Sequence, residues 1–168
     1  MHEKDGVMIT DEGDRTERIR SKVEQMGVFF ERSGFAPITG RVFAYLLLCD
    51  PPHSDFFAIQ GFLRASKSAV SNALTTLTSE GLVDYITFSG NRRRYFRINT
   101  NGWLDNLKKR LRRMTVLGEL LDEVLRERCN SNCSTFHRDL NTVAVFQNYL
   151  SKGIEQLIDE WDKKNTTN

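Results

Sequence analysis

Ser66-Lys67-Ser68-Ala69-Val70-Ser71-Asn72-Ala73-Leu74, with Ser89-Gly90-Asn91-Arg92-Arg93-Arg94-Tyr95-Phe96-Arg97 after it, is the pair of segments on which the fold turns. The first opens a helix. Ser66 is a good N-cap residue, Val70, Ala73, Leu74 and Leu77 recur on one face, and Gly81 follows an expected end at Glu80. Lys67, Ser68, Ser71, Asn72, Thr75 and Thr76 fall on the opposite face, which is short, polar and free of acids. The second segment is a turn, Ser89–Arg92, between two β-rich stretches, Leu82–Phe88 and Arg93–Ile98.

One step back along the chain, Ser54 is placed to cap a helix over Asp55–Leu63, whose buried stripe is Phe56, Ile59, Phe62 and Leu63. Arg64-Ala65 then makes a short turn. Helix, turn, helix and basic hairpin in that order are the layout of a winged helix-turn-helix. An acid-free helix face can enter a major groove, and an arginine-tipped hairpin can reach phosphates or a minor groove. The expected DNA-binding residues are Ser66, Lys67, Ser68, Ser71, Asn72 and Thr75 on the helix and Arg92, Arg93 and Arg94 on the hairpin. The bland alternative is a small α+β domain with a solvated basic loop. The ordered co-occurrence of the features favours DNA.

Charge distribution agrees. The net charge of the 168-residue chain is only +2. Between Phe62 and Arg113, however, eleven Lys and Arg face three acids (Glu80, Asp84, Asp105), so this stretch carries +8 and the remainder −6. Positive potential concentrated in one region suits a polyanion partner.

Outward from this unit, residues 1–14 read as a polar leader. Residues 15–33 carry an amphipathic helix on Ile19, Val23, Met26, Phe29 and Phe30, ended by Ser33-Gly34. Pro37 opens a strongly apolar helix that Asp50-Pro51-Pro52 stops; apolar nearly all round, it belongs in the middle of the domain. Residues 34–100 form the winged domain. Residues 101–168 carry two long helices. Leu104, Leu107, Leu111, Met114, Leu117 (or Gly118), Leu121 and Leu125 mark the first, and Leu140, Val143, Phe146, Leu150, Ile154, Leu157 and Trp161 the second. So much apolar surface exceeds what one small domain needs. An intermolecular bundle is the economical solution, with an intrachain hairpin as the alternative. The expected dimerisation residues are Ile19, Val23, Leu111, Leu117, Leu121, Leu125, Val143, Leu150, Ile154, Leu157 and Trp161.

Other classes find little support. No apolar run approaches the roughly 18 residues of a membrane span, and the polar N-terminus is not a secretory signal, so a cytoplasmic, nucleoid-associated protein is expected. Cys49 reads as a small core residue, and Cys129 and Cys133 as free thiols in a connector. His2, His53 and His137 add no second pair at zinc-ligand spacing, so neither metal nor cofactor is expected. No phosphate-cradling glycine loop or nucleophile–base set suggests an enzyme. A protein-interaction module built on a winged scaffold is the competing class. It predicts no salt-dependent DNA affinity.

The stretch from Gly34 to Ile98 resembles the bacterial MarR-type regulators, specifically the GbsR-like branch. The likeness rests on Gly40-Arg41 before a leucine run, Asp50-Pro51-Pro52, Ser66 to Leu74, Gly81-Leu82-Val83 and the wing from Gly90 to Phe96. The resemblance implies a mainly α fold with an α+β winged helix-turn-helix, and a homodimer whose terminal helices form a dimerisation bundle. It also implies double-stranded DNA as partner, a pseudo-palindromic operator and a role as repressor. A small-molecule effector of unassigned identity is compatible with it. Phe29, Phe30, Tyr45 and Trp103 are the aromatic residues expected near a cleft between the helices and the winged domain.

Overall fold

The computed structural model describes residues 11–128 and 134–165, so the Cys129–Cys133 connector lies outside the described residues. The chain divides after Trp103 into two compact units.

The first unit contains α1 (Asp11–Arg32), α2 (Pro37–Leu48), β1 (Ser54–Asp55), α3 (Phe56–Leu63), α4 (Lys67–Ser79), β2 (Val83–Ile86) and β3 (Tyr95–Ile98). Its sheet has the order β1-β3-β2, both pairings antiparallel, with Ser54 opposite Phe96 and Tyr85 also opposite Phe96. The winged helix-turn-helix expected from the sequence is therefore present: α3, a turn through Arg64, α4, then the β2–β3 hairpin.

The core forms around α2, whose Val42, Phe43, Ala44 and Leu46 are almost fully buried. Ile59 of α3, Val70, Ala73, Leu74 and Leu77 of α4, and Leu82 and Val83 close on it from the other elements. Phe30 and Trp103 meet Phe43 edge-on at 5.1 and 5.2 Å between ring centroids, a favourable aromatic geometry. The α1–α2 contact needs a small residue: a Cβ on Gly40 would stand 3.0 Å from the Gly27 carbonyl oxygen and from Phe30 Cβ. Arg41 beside it bonds Glu24 (Nε to Oε2, 2.8 Å) and the Pro37 carbonyl.

Several expectations need correction. Helix α1 starts at Asp11, inside the stretch read as a leader, and it packs on α2 within the winged unit rather than standing apart. Val23 is 3% exposed in that unit's core and Ile19 packs beside it, so their apolar stripe is already covered by the chain itself. Ser54 does not cap α3. It lies in β1, and Asp55 makes the cap. The strands are shorter than their apolar runs, and β1 was not foreseen.

The second unit holds most of α5 (Thr100–Glu127) and α6 (Ser134–Asn165). The two helices run antiparallel against each other. Lys108 meets Asp162, the Ser151 hydroxyl, donating to the Gln147 carbonyl at 2.8 Å, lies 3.4 Å from the Thr115 carbonyl, and Asn148 Nδ2 donates to Asp122 Oδ2 at 3.0 Å. Gln147 donates to the Met114 carbonyl. This seam is polar and small, with Gly118, Leu125, Ala144 and Ile158 as its buried members. Leu111, Leu121, Leu150 and Ile154 are half-buried, whereas Leu117, Val143, Leu157 and Trp161 are 49%, 53%, 69% and 51% exposed.

Candidate nucleic-acid interface

The polar face of α4 is built from the helix outward. Ser66 caps it, its Oγ accepting the Ala69 N–H at 3.2 Å, and Ser68 Oγ lies 3.2 Å from Ser66 Oγ. With Val70, Ala73, Leu74 and Leu77 committed to the core, Lys67, Ser71, Asn72 and Thr75 are left exposed on the same side as Ser66 and Ser68. Thr75 Oγ1 donates to the Ser71 carbonyl at 2.9 Å. The structure thus brings together all six helix residues singled out from the sequence.

The hairpin tip turns at Gly90, φ 78°, a left-handed conformation that suits glycine. Asn91 ties the turn: its N–H donates to the Phe88 carbonyl, its Nδ2 to the Tyr95 hydroxyl at 2.7 Å, and its Oδ1 accepts the Arg93 N–H at 3.0 Å. Arg92, Arg93 and Arg94 are all exposed, yet they are not equivalent. Arg92 makes no ion pair or hydrogen bond among the described residues. Arg94 lies over the Tyr85 ring, 4.6 Å from its centroid. Arg93 Nη1 donates to Asp55 Oδ2 at 2.8 Å and sits 5.7 Å from the Phe57 ring centroid.

Two of these holding residues, Tyr85 and Asp55, escaped the sequence reading. Tyr85 stands opposite Phe96 on the hairpin, and alternation along β2 could have revealed its outward placement. Asp55 lies 38 residues from Arg93, and no local signal joins them. The Ala58 N–H, together with Arg93 and the Phe57 N–H, holds the Asp55 carboxyl below the ordinary carboxylate value despite the opposing effect of burial.

A cavity of about 430 Å³ connects helix and wing, lined by Ser71, Thr75, Thr78 and Ser79 of α4, by Tyr85 and Arg94 of the hairpin, and by Phe56, Leu74 and Phe96 at its floor. On the α4 wall the Thr75 and Ser79 hydroxyls already donate to the Ser71 and Thr76 carbonyls, while Arg94 on the opposite wall supplies a guanidinium suited to phosphate oxygens. The aromatic residues expected at a ligand cleft do not converge on one. Phe30 and Trp103 both pack on Phe43, Tyr45 lies 4.6 Å from Phe62, and Phe29 is 64% exposed.

No family model matches the chain. It is 34% identical over 104 residues to the HTH-type transcriptional regulator MmpR5 of Mycobacterium tuberculosis, covering 62% of this chain and 63% of that protein. The chain thus spans a little under two thirds of that relative's length. Among solved structures it is similar to one described as a transcriptional regulator, with a TM-score of 0.64 and 27% identity over 87% of this chain and 99% of the other. A MarR family regulator from Neisseria meningitidis aligns over 92% of this chain and 99% of its own, with 16% identity and a TM-score of 0.38.

Proposed function

We infer that this chain is a MarR-type transcriptional regulator that binds duplex DNA through α4 and the β2–β3 hairpin. The observation that carries the reading is the acid-free exposed face of α4, set across one cavity from Arg94 of the arginine-bearing hairpin. An α-helix bearing Asn72 and four hydroxyl-bearing residues can discriminate base edges, since Asn pairs bidentately with adenine and Ser or Thr serves base or phosphate. The wing arginines add sequence-independent affinity. The resemblance of the motifs from Gly40-Arg41 to Phe96 supports, in this reading, a member of the GbsR-like branch that acts as a repressor.

The active species is a homodimer. In α5 and α6 the outward residues Leu117, Val143, Phe146, Leu157 and Trp161 are each about half exposed or more, an apolar face that a second copy of the same helices covers. Two winged units related by a two-fold axis then read half-sites about 34–36 Å apart.

Selecting bound fragments from random duplexes tests the reading, and an inverted repeat is the expected product. On that duplex, Arg92→Gln with Arg94→Gln weakens binding to every sequence and flattens its dependence on salt, while Asn72→Ala changes which sequences are preferred. Selection that enriches no sequence, together with an unaltered salt slope in the arginine variant, would overturn the assignment.

A further inference from the structure

Asp55 has two occupations at once. Its Oδ1 accepts the Phe57 and Ala58 N–H groups, each at 2.9 Å, and so caps α3. Its Oδ2 accepts Arg93 Nη1 at 2.8 Å. The Asp55 side chain is 12% exposed and that of Arg93 59%, so the carboxylate is shielded while the guanidinium reaches solvent. Pairing of β1 with β3, Asp55 opposite Tyr95, fixes the backbone on both sides of the contact. Among the three arginines of the wing, Arg93 alone is engaged by a carboxylate among the described residues.

We propose that Asp55 is a specificity-determining residue: it stands in for a DNA phosphate oxygen on Arg93 and yields the guanidinium only where a backbone phosphate is seated closely enough to replace it. The proposal rests on the reading of this surface as a duplex-DNA interface. Loosely docked, sequence-independent complexes draw their free energy from the number of phosphates neutralised and counterions released. A guanidinium already paired with a carboxylate contributes little to that count, and the nearby negative charge repels a phosphate that approaches without displacing it. In a closely docked complex the exchange is inexpensive. Asp55 retains its two backbone N–H partners after Arg93 leaves, so no shielded carboxylate is stranded without a hydrogen bond.

The substitution that separates charge from capping is Asp55→Asn, since Asn is as good an N-cap as Asp. Binding of the full-length protein is measured across a salt series on two duplexes, the selected inverted repeat and a scrambled one. The variant is expected to bind the scrambled duplex more tightly, with a salt slope steeper by about 0.9 for each winged unit in contact, and to discriminate less between the two. Both changes should disappear in the Asp55→Asn, Arg93→Gln double variant. Arg93→Gln alone should leave the scrambled-duplex slope of the wild type in place, whereas Arg92→Gln should lower it by about 0.9 per unit. A folded Asp55→Asn protein with unchanged slope and discrimination overturns the proposal alone. If that variant does not fold, the two single arginine variants decide, and equal slope losses overturn it. Wild-type protein lacking salt-dependent DNA affinity overturns the DNA reading and this proposal together.

Discussion

The two units of the chain solve the problem of helix burial in opposite ways. In the winged unit, the helices turn most of their apolar residues inward, and α2 is enclosed by α1, α3, α4 and the hairpin until Val42, Ala44 and Ile59 have no exposed surface. In the second unit, α5 and α6 bury Gly118, Leu125, Ala144 and Ile158 between side-chain hydrogen bonds and leave Leu117, Val143, Phe146, Leu157 and Trp161 about half exposed or more. The first arrangement is complete within one chain. The second leaves Leu157, Trp161 and their neighbours exposed, more apolar surface than is common on a monomer, and the proposed homodimer would cover it. In the proposed function, reading and assembly would rest on different physics: a closed core behind α4, and an apolar face left open on α5 and α6.

That contrast breaks most severely at Phe43. Its ring is 1% exposed and contacts Phe30, Phe35 and Trp103. Phe43→Ala leaves a cavity among Phe30, Phe35 and Trp103 that the packed core fills only in part, with an expected loss of about 3–5 kcal/mol. Chemical denaturation should show the winged unit's transition at much lower denaturant. A loss under about 1 kcal/mol would mean that the core is not close-packed.

The opposite behaviour is expected on the outer face of α6. Leu157→Asp, at a position 69% exposed, removes little intrachain packing, so helicity and the unfolding of the winged unit should persist. Sedimentation should instead report a single subunit, and affinity for an inverted repeat should fall to that of one half-site. A variant that remains dimeric would show that the exposed face is not the contact between copies.

The winged unit was readable because its signals are local. The Ser66 cap, the Val70–Leu77 stripe, Gly81 and the arginine turn each lie within a few residues of the structure they dictate, and α4 emerged with its expected facing. Errors came where a partner lies far along the chain. Periodicity marks Val23 as apolar but not what it packs on, and α2 claims it. A two-residue strand has no period, so Ser54 in β1 looked like a cap. In α6 the heptad pointed to Val143, Phe146, Leu150 and Leu157, the most apolar face, while the intrachain neighbour took Ala144, Ser151 and Ile158. Hydrophobicity alone ranks those faces wrongly, since the inner one is held by hydrogen bonds that a single helix does not reveal.

The smallest expected effect sharpens that last point. Gly118 lies where α5 approaches α6, and a Cβ there would run into Asn148 Oδ1, the carboxamide whose Nδ2 donates to Asp122. Gly118→Ala has two opposed consequences. Alanine favours the helical backbone by about 1 kcal/mol relative to glycine. Displacing the carboxamide forfeits a hydrogen bond worth about 1 kcal/mol. In the wild-type background these nearly cancel, and little change in stability is expected. In an Asn148→Ala background only the helical gain remains, so the same substitution should stabilise by about 1 kcal/mol. A double-mutant cycle read by thermal unfolding measures the difference. Equal effects in the two backgrounds would show that Asn148 does not set the approach of the helices; the seam would then be held by Ala144 and Ile158, by apolar packing of the kind that builds the winged unit.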